Sequence, residues 1–240
     1  MDMLGTFYGI GVGPGDPELL TLKAVRALKK VRHVFAAASS KNDYSLALEI
    51  ARQHVPADTP VSLLDFPMTF DKARLEEAWQ ANCLTVVEKL QAGWDVAFVT
   101  LGDPMTFSTF IYLLRKVRSR LPQVPVVTVP GITAYQAAAA CAGVPLAEAE
   151  ETFTVISGAK GGEALPQVLP FSDNVVLMKT YKKFPEILDR IRAMGLADRC
   201  CFVSRCGLEG QTVERDFEKL AQLIPHYLSL LILKKRGLEP

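Results

Sequence analysis

Histidine is scarce in this sequence, paired cysteine is missing, and there is no surplus of charge. His33, His54 and His226 are scattered through 240 residues. None stands beside other ligating side chains at a metal spacing, so a metal centre is not expected. The five cysteines are odd in number, none are spaced Cys-x-x-Cys, and Cys200 and Cys201 are adjacent in an apolar run. They read as small buried hydrophobes of a reducing compartment, not as a disulfide framework. Lys and Arg total 27 against 26 Asp and Glu, a net charge of +1. That balance lacks the basic excess of a general nucleic-acid or membrane-surface binder. The longest apolar runs, such as residues 227–233, fall far short of the roughly 20 residues that cross a bilayer. No basic stretch followed by an apolar stretch and a cleavage site opens the sequence, so a cytoplasmic protein is expected. Internal repeats and low-complexity segments are absent.

What is present is a chain with 49% hydrophobic and 22% charged residues and a mean hydropathy of +0.17, enough to bury a sizeable core. Strand-like and helix-like segments alternate. Residues 7–12 are apolar and run into glycine. Residues 17–31 carry Leu20, Ala24, Ala27, Leu28 and Val31 at helical spacing. Strands are predicted at 33–38, 61–66, 94–101 and 126–129, and helices at 44–54, 71–92 (stopped by Gly93), 106–121 and, rich in alanine, 133–143. Alternation of this kind implies an open, mostly parallel sheet. Residues 144–151, with a proline and three glutamates, read as the link to a second half. The expected domains are therefore 1–143 and 144–240. The second half shows strands near 153–157, 175–180, 201–205 and 227–233, with 211–215 as a hairpin partner for the last. Its helices lie near 163–169 and 184–194. Lys234, Lys235 and Arg236 read as a solvated tail.

Three strand-to-helix loops carry the chemistry. The first is Gly11-Val12-Gly13-Pro14-Gly15-Asp16-Pro17. It fails as a dinucleotide loop: Asp16 stands where the third glycine belongs, and Ala36, Ala37, Ala38 and Ser39 close the second strand without the acidic residue that would bind a ribose. Asp16 and Pro17 suit a helix cap and a first helical position. Two glycines around a stiff proline suit close approach to the backbone. The second loop, Leu101-Gly102-Asp103-Pro104, ends a buried strand and leads through Thr106, Ser108 and Thr109 into a helix. The third is Val129-Pro130-Gly131-Ile132-Thr133-Ala134. Each alone reads as a capped turn.

Together, in this order, they resemble the tetrapyrrole (corrin and porphyrin) methyltransferases, over nearly the whole chain. Residues 8–24 and 102–110 look most like the precorrin-2 C20-methyltransferases, including the cobalt-factor-II version. The resemblance implies a two-domain α/β fold, each domain an open mixed sheet flanked by helices, with the active site in the cleft between them. It implies S-adenosylmethionine as methyl donor, S-adenosylhomocysteine as product, a small tetrapyrrole as substrate and a homodimer, while the charge balance and short apolar runs lead to the expectation of no nucleic-acid or membrane partner. Cofactor contacts would fall on Pro14, Leu101, Gly102, Asp103, Thr106, Thr133 and Ala134, and in the second half on Met178, Lys179, Gly207 and Leu228. Substrate contacts would fall on Gly13, Gly15, Asp16, Lys41 and Arg205. One departure matters. Uroporphyrinogen III methyltransferases carry a Tyr-Asp-Arg-Leu-type segment after the second strand, and this chain has Ala36 to Lys41 there. That argues against uroporphyrinogen as the substrate and names no catalytic base.

Methyl transfer from a sulfonium is an in-line displacement that needs donor and acceptor held about 3–3.5 Å apart and shielded from water. A reduced tetrapyrrole is already nucleophilic at its meso carbons, so no enzyme nucleophile is required, and no Cys–His or Ser–His pair stands out. Lys41, Lys160, Lys182, Lys183 and Arg205 are candidates for the substrate's rim of carboxylates. Residues 158–162 form a glycine-rich loop suited to a lid or a plain turn. Phe107, Phe110 and Ile111 have core spacing, and Tyr135 stands beside the third loop. Three rivals remain: methylation at another ring position, a same-fold methyltransferase for ribosomal RNA or a translation factor, and a sensor that binds without turnover.

Overall fold

The computed structural model describes residues 3–38, 45–69 and 71–238. They form two compact units that divide after Thr133.

The first unit is built on a five-stranded sheet: β1 (Phe7–Gly11), β2 (His33–Ala38), β3 (Val61–Asp65), β4 (Val96–Thr100) and β5 (Val126–Val129). The order is β3-β2-β4-β1-β5, and every pairing is parallel. Helices α1 (Leu22–Leu28), α2 (Leu46–Arg52), α3 (Lys72–Gln91) and α4 (Phe110–Arg120) cover it. Alternate residues of each strand enter opposite cores. Phe7, Phe35 and Phe98 pack with Val86, Leu90, Phe110 and Leu113 of α3 and α4. Ile10, Val34 and Val99 pack with Ala24, Leu28 and Ile50 of α1 and α2. Both faces are covered, as a parallel sheet requires.

Two helices begin later than expected, for the same reason. The helix predicted over 17–31 is a 3₁₀ turn (Pro17–Leu19), an extended Leu20, and then α1, because the Thr21 hydroxyl accepts from the Ala24 N–H at 3.2 Å and restarts the chain. The helix predicted from 106 starts at Phe110, because Asp103 and Ser108 tie the intervening backbone into turns.

The second unit contains α5 (Ala134–Ala142), β6 (Phe153–Ser157), α6 (Leu165–Val168), β7 (Asn174–Met178), α7 (Phe184–Ala193), β8 (Cys200–Ser204), β9 (Thr212–Glu214), α8 (Phe217–Leu220) and β10 (Ser229–Lys234). The sheet order is β6-β7-β10-β8-β9. β6 and β7 are parallel, and β10 runs antiparallel to both its neighbours. The hairpin partner of β9 is β8, not the last strand. Helix α5, which the sequence reading kept in residues 1–143, groups with this unit. Its Ala138, Ala139 and Ala142 share a core with Val176, Cys201, Val203 and Ile232. Small side chains let the helix lie close to the sheet, and this contact decides its membership.

Lys234 is not part of a solvated tail. It ends β10, is 2% exposed, and lies 3.3 Å from Glu148 and 3.7 Å from Glu151. Asn174 Nδ2 donates to the Leu146 carbonyl and to Glu151, both at 2.9 Å, so residues 144–151 are fastened to the second sheet. Cys83, Cys200 and Cys201 are buried as expected. Cys141 is exposed and Cys206 half-buried, so the expectation of buried thiols fails for these two.

His33 is buried at the start of β2, with Nε2 2.9 Å from the Ser62 hydroxyl and its ring stacked on Phe35. Burial, and behind it the charge of Lys89, hold its imidazole below the ordinary histidine range. The unfolded chain therefore takes up this proton first as pH falls. Stability should be full above about pH 6.5 and decline progressively below it. Urea unfolding across that range should show the decline, and His33→Gln should flatten it; an unchanged slope would exclude His33 as its source.

Candidate active site

A parallel sheet brings the carboxyl ends of its strands to one edge, which is where ligands of open α/β sheets bind. Adjacent β4, β1 and β5 deliver the three motif loops to that edge. The loops touch through their backbones. The Val12 N–H donates to the Thr100 carbonyl at 3.0 Å, the Gly13 N–H to the Gly102 carbonyl at 3.3 Å, and the Gly102 N–H to the Gly13 carbonyl at 2.8 Å. The Asp103 carboxylate completes the joint. Its Oδ1 accepts from the Met105 N–H at 2.8 Å and the Thr106 hydroxyl at 3.5 Å, and its Oδ2 accepts from the Gly131 N–H at 3.2 Å. Gly131 has no room for a side chain: a Cβ there would lie 2.2 Å from the Gly102 oxygen and 2.8 Å from the Gly11 carbonyl carbon. The far end of the second loop is fastened too. The Thr100 and Ser108 hydroxyls are 2.9 Å apart, and Ser108 Oγ accepts from the Phe110 N–H at 3.1 Å.

Among the expected contacts, Gly13, Pro14 and Gly15 are buried in the first loop. Asp16 caps the 3₁₀ turn, accepting from the Glu18 N–H at 2.8 Å. Leu101, Gly102, Asp103 and Thr106 lie together in the second loop, buried Thr133 closes the third, and Ala134 opens α5. Lys41 lies outside the described residues. Phe107 departs from expectation: Phe110 is fully buried, whereas Phe107 is 45% exposed with a φ of +52°.

The second unit has its own edge. β6, β7 and β8 end where β10 begins, because β10 runs against β7 and β8. Met178, Lys179, Arg205 and Leu228 therefore fall along one line, with Leu230 opposite Met178 and Ser229 opposite Ser204. The Arg205 N–H donates to the Leu228 carbonyl at 2.8 Å. Two cationic candidates are engaged locally: Arg205 Nε donates to the Glu209 carbonyl at 2.6 Å, and Lys183 pairs with Glu186 at 2.6 Å. Lys182 lies over the Tyr181 ring. Exposed Gly207 donates its N–H to Gln211 at 2.8 Å, closing its own loop. The loop over 158–162 starts from a firm anchor, the Gly158 N–H to the Met178 carbonyl at 2.6 Å. Tyr135 packs on Phe153 within this unit. The sequence reading missed Tyr181 and Tyr227, an edge-to-face pair 5.2 Å apart that flanks Met178 and Leu228. Their positions immediately after one strand and before another were the available signal.

The donor set suits a cation better than a polyanion. Residues 101–109 and 129–134 contain no lysine or arginine, and their one charge is Asp103. That chemistry fits S-adenosylmethionine, with its sulfonium, ammonium and flat base. Four thiols offer no competing nucleophile: burial pushes Cys83, Cys200 and Cys201 up, and burial with neighbouring Cys141 pushes Cys206 up to about 11.

Residues 6–221 match the family model of the Tetrapyrrole (Corrin/Porphyrin) Methylases. The chain belongs to the tetrapyrrole methylases. This methylase is 34% identical to the cobalt-precorrin-2 C(20)-methyltransferase of Salmonella typhimurium, over 97% of its own length and 98% of the relative's. It is 28% identical to the precorrin-2 C(20)-methyltransferase of a Sinorhizobium species, over 95% of each chain. Its fold superimposes on uroporphyrin-III C-methyltransferase from Thermus thermophilus, solved with S-adenosylhomocysteine, with a TM-score of 0.69 and 26% identity over 96% of this chain and 98% of that one.

Gly131→Ala tests the joint between the methylase's loops. The atoms that a Cβ would strike are all backbone, so the substitution should cost about 3 kcal/mol in urea unfolding. A loss below about 1 kcal/mol would mean that the loops are not packed this closely.

Proposed function

We propose that this methylase transfers a methyl group from S-adenosylmethionine to C20 of precorrin-2, or of its cobalt form, in corrin-ring synthesis. The observation that carries the reading is end-to-end similarity to a cobalt-precorrin-2 C(20)-methyltransferase, at 34% identity over 97% of this chain. The site chemistry supports it. Bound S-adenosylmethionine supplies an electrophilic methyl on a positively charged sulfur. Asp103 sets a fixed negative charge in the second loop, and Pro14, Leu101, Gly102, Thr106, Thr133 and Ala134 are the other proposed cofactor contacts beside it in the sequence of loops. Met178, Lys179, Gly207 and Leu228 complete the contacts in the second unit, the apolar ones as a rest for the flat base.

The acceptor needs no covalent help from the protein. The reduced ring's own electrons would form the new C20–methyl bond as the sulfur–methyl bond breaks, the electron pair of that bond staying on the departing S-adenosylhomocysteine and the C20 proton passing to a weak base or to water. What the chain contributes is alignment and the exclusion of water. Gly13, Gly15, Asp16, Lys41 and Arg205 remain the proposed substrate contacts. The reading also makes the partner a small molecule and not a nucleic acid, in keeping with the net charge of +1, and makes the working form a cytoplasmic homodimer. Among the described residues, no helix is long and apolar enough to cross a membrane.

The test is incubation with carbon-13-labelled S-adenosylmethionine and either precorrin-2 or cobalt-factor II. Mass and carbon-13 spectra should locate one new methyl at C20. A methyl elsewhere on the ring, or binding without turnover, would overturn the assignment. Asp103→Ala should also weaken S-adenosylhomocysteine binding by about tenfold or more in calorimetry, since it removes both a charge and the tie to Gly131. Unchanged affinity would remove the second loop from the cofactor site.

A further inference from the structure

We propose that Phe107 is a substrate-binding residue, its ring serving as a flat apolar surface against the tetrapyrrole macrocycle. The inference rests on the functional reading above and adds a recognition element to it.

Three observations support it. The first is exposure. Ser108 is 6% exposed and Phe110 is fully buried, yet Phe107 between Thr106 and Ser108 is 45% exposed, and Met105 on the same loop is 54% exposed. An ordinary core phenylalanine does not sit this way.

The second is backbone strain. At φ +52° Phe107 occupies the left-handed region, which a bulky side chain adopts only at a cost. Glycine would make the same turn without that cost, and glycine does so at Gly13 and Gly102. The conformation is forced from both flanks. Asp103 ties Met105 and Thr106 on one side, and Ser108 is held to Thr100 and Phe110 on the other. Phe110 is in turn seated over Gly9, where any Cβ would strike its ring at 2.1 Å. A strained residue held by its surroundings at a functional edge points to a role for its side chain.

The third is chemistry. The loop over 101–109 carries no positive charge. It therefore cannot recognise the carboxylates on the substrate's rim through a cation, whereas an exposed ring and an exposed thioether suit the face of a conjugated macrocycle.

The test compares wild type, Phe107→Gly and Phe107→Tyr in three measurements: thermal unfolding, S-adenosylhomocysteine affinity by calorimetry, and KM for precorrin-2 and its cobalt form. Phe107→Gly relieves the left-handed strain, so it should melt at or above the wild-type temperature. Its S-adenosylhomocysteine affinity should stay within about twofold, while KM for the tetrapyrrole rises about tenfold. Phe107→Tyr should restore KM to within about twofold of wild type. An active wild type with an unchanged KM in Phe107→Gly would overturn the inference. So would a parallel loss of S-adenosylhomocysteine affinity, which would make the ring a prop for the cofactor loop. A glycine variant melting well below wild type would make it a packing element and likewise overturn it. A wild type that methylates neither tetrapyrrole overturns the functional reading itself, and this inference with it.

Discussion

Three backbones meet at the carboxyl edge of the first sheet, closer together than any side chain allows. Gly11, Gly102 and Gly131 arrive on adjacent strands, and their main-chain atoms pack so tightly that a methyl group at Gly131 would overlap the Gly102 oxygen. Strand order makes the meeting possible, since β1 lies between β4 and β5 and every loop leaves in the same direction. The paired N–H to carbonyl bonds of Gly13 and Gly102 and the Asp103 bridge to Gly131 then remove the freedom that flexible glycines would otherwise have. A rigid patch of main chain results, with one carboxylate fixed in it. In the proposed site, contact made by main chain would tolerate changes in the surrounding side chains.

The second unit reaches a comparable edge by another route. Its last strand runs backward between two others, so the start of β10 stands beside the ends of β7 and β8. The opposite edge is where the charged clamp sits. Lys234 closes β10 beside Asn174, which opens β7, and Glu148 and Glu151 precede β6. Thr152 and Asp173 exchange hydrogen bonds at 2.9–3.2 Å across the same strand starts. A buried ammonium is costly to desolvate and is tolerated because carboxylates face it. Stabilising charge is thus kept at one edge, while the other is left to loops.

The elements legible in the sequence are those whose physics is local. The strands showed because alternate residues had to fill two cores, and the three motif loops showed because close backbone contact leaves a signature in glycine. Failures came where a distant partner decided the outcome. Nothing beside Lys234 in sequence announces Glu148, 86 residues away. The membership of α5 depends on Val176, Cys201 and Ile232, strands later in the chain. Two helix starts were missed because the side chains of Thr21, Asp103 and Ser108 outbid the helix for nearby N–H groups, a contest that apolar spacing does not register. Phe107 was assigned to the core by its three-residue offset from Phe110, an argument that holds only if both lie on one helix.

The pattern of glycine and non-glycine turns completes the physical picture. Where two backbones must touch, as at Gly11 and Gly131, the chain gives up the side chain. Where the chain must turn left-handed and still present something, it keeps one, at about 1–2 kcal/mol of local strain. Phe107, Lys179 and Arg205 are three of the four such residues among those described, and all follow strands at the loop-bearing edges. For Arg205 the return is visible: its Nε holds the Glu209 carbonyl and closes the turn that leaves β8. For Phe107 the turn leaves the ring 45% exposed. Under the proposed function, that strain is retained for the macrocycle face that the exposed ring would meet.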